Sequence, residues 1–309
     1  MIYTLSLNPA LDRELTVVAL ETNTVLRATQ ARADYGGKGF NVSRALAALG
    51  TPSVALGLLG GPTGAALKAG LSRLGISVDV VAIAGETRTN VSIVATETGD
   101  HIKVNEAGPI VTPEERETLV DRISALARPG DLWVLAGSLP PGLPPDLYAS
   151  LVELLRGYGA RVILDASGEA FTLGCRARPY LIKPNAVEAE AATGLVADTA
   201  EAALAAADRL RALGPENVVI SRGAAGAVLA TADGHWVGTP PHIAEANPIG
   251  AGDALVAGLV QALNLNASWA DVLRLGLACG AAAAGLPGTD FGDLDHVARL
   301  AAQAVVREV

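Results

Sequence analysis

Residues 247–258 read Asn-Pro-Ile-Gly-Ala-Gly-Asp-Ala-Leu-Val-Ala-Gly, a glycine turn running into an alanine-rich apolar helix. The first amides of a helix lack a carbonyl partner and carry the positive end of its dipole, so the backbone of Gly250, Ala251 and Gly252 converges on a place for an anion. Asp253 falls in the first turn, where the dipole favours its ionised form. A base and an anion cradle thus share one turn. Taken alone, Gly-x-Gly-Asp before a helix is more often an ordinary loop with an acidic first turn.

A second cluster, Gly36-Gly37-Lys38-Gly39-Phe40-Asn41-Val42-Ser43-Arg44, puts three glycines and a lysine before another helix. The glycines let the backbone approach a ligand closely, and Lys38 adds a point charge suited to phosphate. It is not a Walker A loop, because the wide spacing and the terminal Gly-Lys-Ser/Thr are missing. Five further polar groups recur where strands should end: Asn8-Pro9-Ala10-Leu11-Asp12, Thr87-Arg88-Thr89-Asn90, Lys103-Val104-Asn105-Glu106, Gly137-Ser138-Leu139-Pro140 and Lys183-Pro184-Asn185-Ala186-Val187-Glu188. Any one of them reads as a turn or a salt bridge. Seven in one chain point to ligands bound at the ends of strands.

The elements that must carry these residues alternate. Short apolar runs at Ile2–Leu7, Ser53–Leu59, Leu132–Ala136, Arg161–Asp165, Tyr180–Lys183 and Val218–Ser221 predict strands, with helical patterns over Asn41–Leu49, Gly64–Leu74 and Pro145–Tyr158 between them. That order predicts a mostly parallel sheet with helices on both faces. Thr112-Pro113-Glu114-Glu115 has the cap, proline and glutamate of a capping box. Two segments break the alternation: Leu11–Ala33 and Thr87–Asn105 carry period-two, β-branched stretches that predict a small sheet folded over one edge as a lid. A hairpin over Ala227–Thr231 and His235–Val237, around Asp233-Gly234, leads into the opening motif. Three helices are expected after it, over Asp253–Leu263, Trp269–Ala284 and Asp295–Arg307.

Composition narrows the function classes. A chain of 309 residues, half of them hydrophobic, buries a large core. The net charge of −9 and pI near 5.0 argue against a nucleic-acid surface, so positive charge for an anionic ligand must be placed locally. Cys175 and Cys279 stand far apart without metal spacing and read as buried thiols. The N-terminus reads as a first strand rather than a signal peptide, and the uncharged stretch Ala254–Ala270 is too short and too polar to span a bilayer. A cytoplasmic protein with no membrane and no nucleic-acid partner is expected.

Gly36-Gly37-Lys38-Gly39-Phe40-Asn41-Val42 resembles Gly-Gly-Lys-Gly-x-Asn-Val, and residues 250–253 match Gly-Ala-Gly-Asp. With the other groups, in this order, nearly the whole chain resembles the phosphofructokinase B (pfkB) family of sugar kinases, and within it the branch of 1-phosphofructokinases and tagatose-6-phosphate kinases. The resemblance implies one ribokinase-like domain over residues 1–309, an α/β doubly wound sheet with a discontinuous β-lid from about 11–33 and 87–105. It further implies that the lid is shared in a homodimer. By the same resemblance Asp253 takes the acceptor proton while the amides of Gly250, Ala251 and Gly252 hold the phosphoryl group. Lys183, Asn185, Ser221, Gly223 and Gly226 would bind ATP, with Glu188 arranging Mg2+ through water. Asp12, Gly37 and Asn41 would line the sugar cleft, and Lys38, Arg88, Lys103 and Ser138 would gather around the phosphate already on the substrate. Arg222 stands where the family commonly has leucine, and either touches ATP or is solvated. Ala136 stands where the family often has serine, which leaves Ser138 in place. Arg27 resembles a position that reaches a neighbouring subunit's site.

The activity so implied is ATP- and Mg2+-dependent phosphorylation of a ketohexose phosphate, fructose 1-phosphate giving fructose 1,6-bisphosphate. The alternatives are a tagatose-6-phosphate kinase, to which Asn247-Pro248 is somewhat closer, a kinase of an unphosphorylated sugar or nucleoside, and a non-catalytic nucleotide-binding module. A furanose ketohexose is pseudo-symmetric, so one phosphate clamp accepts a 1- or a 6-phosphate with the ring turned over. One ring hydroxyl separates tagatose from fructose, and a single hydrogen bond can set that preference.

Overall fold

The computed structural model describes residues 1–309 except Glu245, Pro248, Pro287 and Thr289. Pro248, half of the Asn-Pro pair noted above, therefore lies outside the described residues. The chain opens with β1 (Ile2–Ser6), every residue of which is buried, as an apolar strand in the middle of a parallel sheet must be. Then come β2 (Ala10–Val17), β3 (Gln30–Gly36), α1 (Lys38–Ala48), β4 (Val54–Leu59), α2 (Gly61–Arg73), β5 (Ser77–Ala82), β6 (Arg88–Ala95) and β7 (His101–Val104). The middle of the chain supplies α3 (Pro113–Leu126), β8 (Leu132–Ala136), α4 (Leu147–Gly157), β9 (Arg161–Asp165), α5 (Gly168–Arg176), β10 (Leu181–Ile182), α6 (Ala186–Thr193), α7 (Ala200–Arg211) and β11 (Asn217–Ser221). The last part contains β12 (Ala227–Ala230), β13 (His235–Thr239), α8 (Ala251–Asn264), α9 (Trp269–Ala284), α10 (Leu294–Ala301) and β14 (Val305–Glu308).

Ten strands form the main sheet in the order β14-β13-β12-β11-β10-β9-β8-β1-β4-β5. It is parallel from β5 to β11, and antiparallel through β12, β13 and β14. One face buries α3 to α7 over a core that includes Trp133, Leu151, Phe171 and Leu210. The other buries α1, α8, α9 and α10 over Leu46, Val256, Leu277 and Val297. A separate four-stranded sheet, ordered β3-β2-β6-β7, pairs β2 with β3 and β6 with β7 antiparallel, and β2 with β6 parallel. The capping box on α3 is present, with Thr112 and Glu115 satisfying each other's amides.

One expectation fails. The helix expected over Asp295–Arg307 stops at Ala301, and Val305–Glu308 returns as β14 beside β13, with Trp236 opposite Glu308. Leu294, Val297 and Leu300 follow a helical repeat, whereas the β-branched Val305 and Val306 suit a strand that satisfies the otherwise open edge of β13. Among the described residues no helix is long and apolar enough to cross a membrane.

Candidate active site

The chain order along the sheet reverses beside β1: β4 and β5 lie on one side of it, and β8 to β11 continue on the other. Ligands of open α/β sheets bind outside the carboxyl ends of the strands at such a reversal. Asn8 follows β1 there, Ser138 follows β8, Asp165 ends β9, Lys183 follows β10 and Ser221 ends β11.

The turn before α8 is shaped by Gly250, whose φ of 83° lies in the left-handed region, and no side chain caps the helix. Among the described residues, the leading amides of α8 are therefore not taken by a capping side chain. Asp253 is buried in that first turn, and its Oδ2 accepts a 2.8 Å hydrogen bond from Asn41 Nδ2. Arg44 Nη1 donates to Asn41 Oδ1 at 3.3 Å, which fixes the amide with its NH2 toward the carboxylate. The dipole alone would favour the ionised acid. Burial instead pushes Asp253 up to about 6, with repulsion from Asp165 adding to it, while Lys38, Asn41 and Lys183 pull it down.

Helix α1 begins at Lys38, three residues earlier than the apolar pattern shows, with Gly37 at its N-cap and no capping side chain. The neighbouring glycines admit the protein's own backbone rather than a ligand alone. A Cβ on Gly39 would lie 2.5 Å from Leu5 O, and one on Gly37, whose φ is 127°, would lie 3.1 Å from Pro9 Cβ. This close approach seats Lys38 over the sheet. Its Nζ lies 3.1 Å from Asp165 Oδ1, and Lys183 Nζ lies 3.6 Å from the same oxygen. Burial opposes the Lys38 charge, but Asp165, Asp253 and Glu188 outweigh it and hold the ammonium above its ordinary value. A Cβ on Gly252 would come within 3.7 Å of Lys183 Nζ, so this lysine stands at the α8 turn.

Around the small sheet, Asp12 accepts from Asn90 Nδ2 at 2.8 Å. Burial raises the Asp12 carboxyl, opposed by Asn90, Lys103 and Arg88. Arg88 donates Nε and Nη2 to Asn8 O at 3.1 and 2.9 Å and Nη1 to Glu106 O at 2.8 Å. Its guanidinium thus ties β6 to the loop after β1 and to the segment after β7. Asn8 Nδ2 continues the chain, donating to Ala107 O at 3.0 Å and Ser138 Oγ at 3.3 Å. Lys103 is exposed on β7, opposite Ser92. Arg27 is exposed in the connection between β2 and β3.

On the other flank, Asn185 caps α6. Its Oδ1 accepts from Glu188 N and Glu188 Oε2 accepts from Asn185 N, both at 2.9 Å. The Asn-x-x-Glu element is thus a capping box, and it leaves the second Glu188 oxygen for another partner. Asn185 bridges to Ser221, where a short 3₁₀ turn over Gly223–Ala225 leads to Gly226. A cavity of about 340 Å³ opens here between Asn185, Val187, Ala197, Ser221, Arg222 and Gly223. Arg222 Nη2 donates to Asp198 O at 2.7 Å, so the side chain braces the cavity wall. A larger groove of about 640 Å³ around Val81, Thr118 and Arg122 lies away from these strand ends, and Arg122 is paired with Asp79 at 2.6 Å.

Asp165 is the residue that sequence reasoning did not single out. Its one signal is a carboxylate ending a parallel strand, directly after the apolar run Val162-Ile163-Leu164, where ligands bind. Among the described residues no three His, Cys, Asp or Glu side chains cluster to hold a metal ion.

The pfkB family carbohydrate kinase model matches residues 6–296. A 1-phosphofructokinase of Xanthomonas campestris is 39% identical over 84% of this chain and 83% of its own. One from Rhodobacter capsulatus is 36% identical over 99% of this chain and 97% of its own. Among solved structures, phosphofructokinase-2 from Escherichia coli in complex with substrates and products superposes with a TM-score of 0.92 at 29% identity, covering 97% of this chain and 98% of that one.

Proposed function

The chain belongs to the pfkB family of carbohydrate kinases, and from that premise we propose that it transfers the γ-phosphoryl group of ATP to fructose 1-phosphate, giving fructose 1,6-bisphosphate and ADP. The observation that carries the reading is the meeting of Asn41, Asp253, Lys38 and Lys183 at the α8 turn, which puts a base, two cations and a helix N-terminus without a side-chain cap in one place. The branch rests on relatives named 1-phosphofructokinase that are aligned over most of their length.

In this reading the acceptor hydroxyl gives its proton to Asp253 as its oxygen bonds to the γ-phosphorus. The bond from that phosphorus to the bridging oxygen breaks, and ADP leaves with the electron pair. The transition state is loose and spreads charge over three oxygens, so catalysis is mostly positioning and charge neutralisation. The amides of Gly250, Ala251 and Gly252, with Lys38 and Lys183, supply that positive field. Asn185, Ser221, Gly223 and Gly226 hold the nucleotide around the cavity beside β11. Glu188 would hold Mg2+ through water, where the ion neutralises the nucleotide phosphates.

Asp12, Gly37 and Asn41 face the sugar. Arg88, Lys103 and Ser138 serve its phosphate, with Arg88 in part organising the loops that enclose it. The small sheet acts as a lid over one kinase domain and, through exposed Val25, Ile102 and Val104, as the contact of a homodimer. The activity belongs in the cytoplasm, where ATP and sugar phosphates are found.

A panel of fructose 1-phosphate, tagatose 6-phosphate, fructose 6-phosphate, fructose and ribose, read by coupled ADP release, tests the assignment. The highest kcat/KM is expected with fructose 1-phosphate. A higher value with tagatose 6-phosphate would move the enzyme to the neighbouring branch, and preference for an unphosphorylated sugar would overturn the phosphate clamp.

A further inference from the structure

The chain has four lysines, Lys38, Lys68, Lys103 and Lys183. Two of them meet at a single oxygen: Asp165 Oδ1 lies 3.1 Å from Lys38 Nζ and 3.6 Å from Lys183 Nζ. The Asp165 side chain is 1% exposed and the Lys183 side chain 4%, so this pair is withdrawn from water, while Lys38 reaches it from the open side of the cleft with its side chain 38% exposed. Among the described residues, Asp165 Oδ2 has no hydrogen-bond partner.

We propose that Asp165 is a shared positioning residue for phosphoryl transfer, its single oxygen holding the ammonium groups of Lys38 and Lys183 together where the two substrates meet. The inference rests on the kinase reading above, which sets both Lys38 and Lys183 around the phosphoryl group in transfer. Two like charges this close repel, and the common anion, itself buried, offsets that repulsion. With both cations fixed, the phosphoryl group in flight passes between donors already in place, and little reorganisation is needed at the moment of reaction. The same negative charge faces Asp253 and opposes its ionisation. Asp165 thus both gathers the cations and makes the ionised Asp253 a stronger base.

Asp165→Asn keeps the shape and removes the charge. The expected result is a kcat lowered by about tenfold or more with both KM values within about threefold, because transition-state positioning is lost and ground-state anion binding is not. The acid limb of the kcat profile should move to lower pH as the repulsion on Asp253 disappears. In the ligand-free protein, side-chain NMR on 13Cε-labelled lysine should show the Lys38 signal titrating at lower pH than in the wild type, because Asp165 helps to hold that ammonium above its ordinary value. That readout needs no turnover, so it separates failure of this proposal from failure of the kinase reading, which the substrate panel tests on the wild type. An unmoved Lys38 signal, an unmoved acid limb, or a variant whose main change is a higher Mg2+ requirement would each overturn the proposal. If Asp165→Asn does not fold, Asp165→Glu is expected to keep the acid limb and lose rate, and full wild-type activity in that variant would count against positioning.

Discussion

Asn41 Nδ2 lies 2.8 Å from Asp253 Oδ2, although 212 positions separate them in the chain. One residue belongs to the lysine-bearing glycine turn and the other to the Gly-Ala-Gly-Asp turn, so this hydrogen bond joins the two signatures into one site. It also sets chemistry. The bond favours the charged form of Asp253 and offsets part of the rise that burial imposes.

Removing that donor should move the base. With Asp253 pushed up to about 6, wild-type kcat should fall below a limb near that pH, because the protonated acid cannot accept the acceptor proton. Asn41→Ala should shift the limb to higher pH and lower kcat by about one to two orders of magnitude at neutral pH, with a smaller deficit in alkaline buffer. A pH–rate profile for both proteins checks this, and superimposable limbs would contradict the link.

The same elevation has a consequence for stability. The folded protein holds its Asp253 proton more tightly than the unfolded chain, so between the ordinary value of 3.8 and about 6 stability falls as pH rises, and above that window the penalty is complete. Asp253→Asn carries no such charge. It should be more stable than wild type by on the order of 3 kcal/mol in alkaline buffer, with the gap closing below the window. Urea unfolding of the ligand-free proteins at the two extremes measures the difference.

Glu188 has two duties that one substitution separates. Glutamine also completes a capping box, so Glu188→Gln should leave the melting temperature within about 2 °C of wild type. The carboxylate charge is lost, so the Mg2+ concentration giving half-maximal activity should rise. A melting temperature that falls while the Mg2+ dependence stays the same would assign the residue to capping alone.

Arg88→Ala should act on the sugar side. Removing the guanidinium takes away a phosphate partner and releases the carbonyls of Asn8 and Glu106 from their donor. KM for fructose 1-phosphate should rise by about tenfold or more while KM for ATP changes little. Unchanged kcat/KM for the sugar phosphate would sink the clamp.

The parts of the site legible in the sequence are those written in local backbone terms. Gly37 and Gly250 announce helix starts without side-chain caps; Lys38 follows the first directly and Asp253 stands three residues after the second. The alternation of apolar runs and helical patterns likewise specifies a parallel sheet. What stayed hidden depends on convergence. Asp165 is an ordinary strand end until Lys38 and Lys183 arrive from distant segments, and the joint work of Arg88 and Asn8 appears only when three loops meet. Strand β14 was hidden for another reason. A few residues after a strongly amphipathic helix carry too little pattern to say that the chain has turned back to a sheet edge.

The account turns on Asp253 as the group that takes the acceptor proton. Turnover of fructose 1-phosphate by Asp253→Asn, measured beside ATP binding by calorimetry, tests it most directly. The account predicts a kcat lowered by about two to four orders of magnitude with ATP affinity kept near that of the wild type. Turnover at the wild-type rate in a variant that still binds ATP would contradict it.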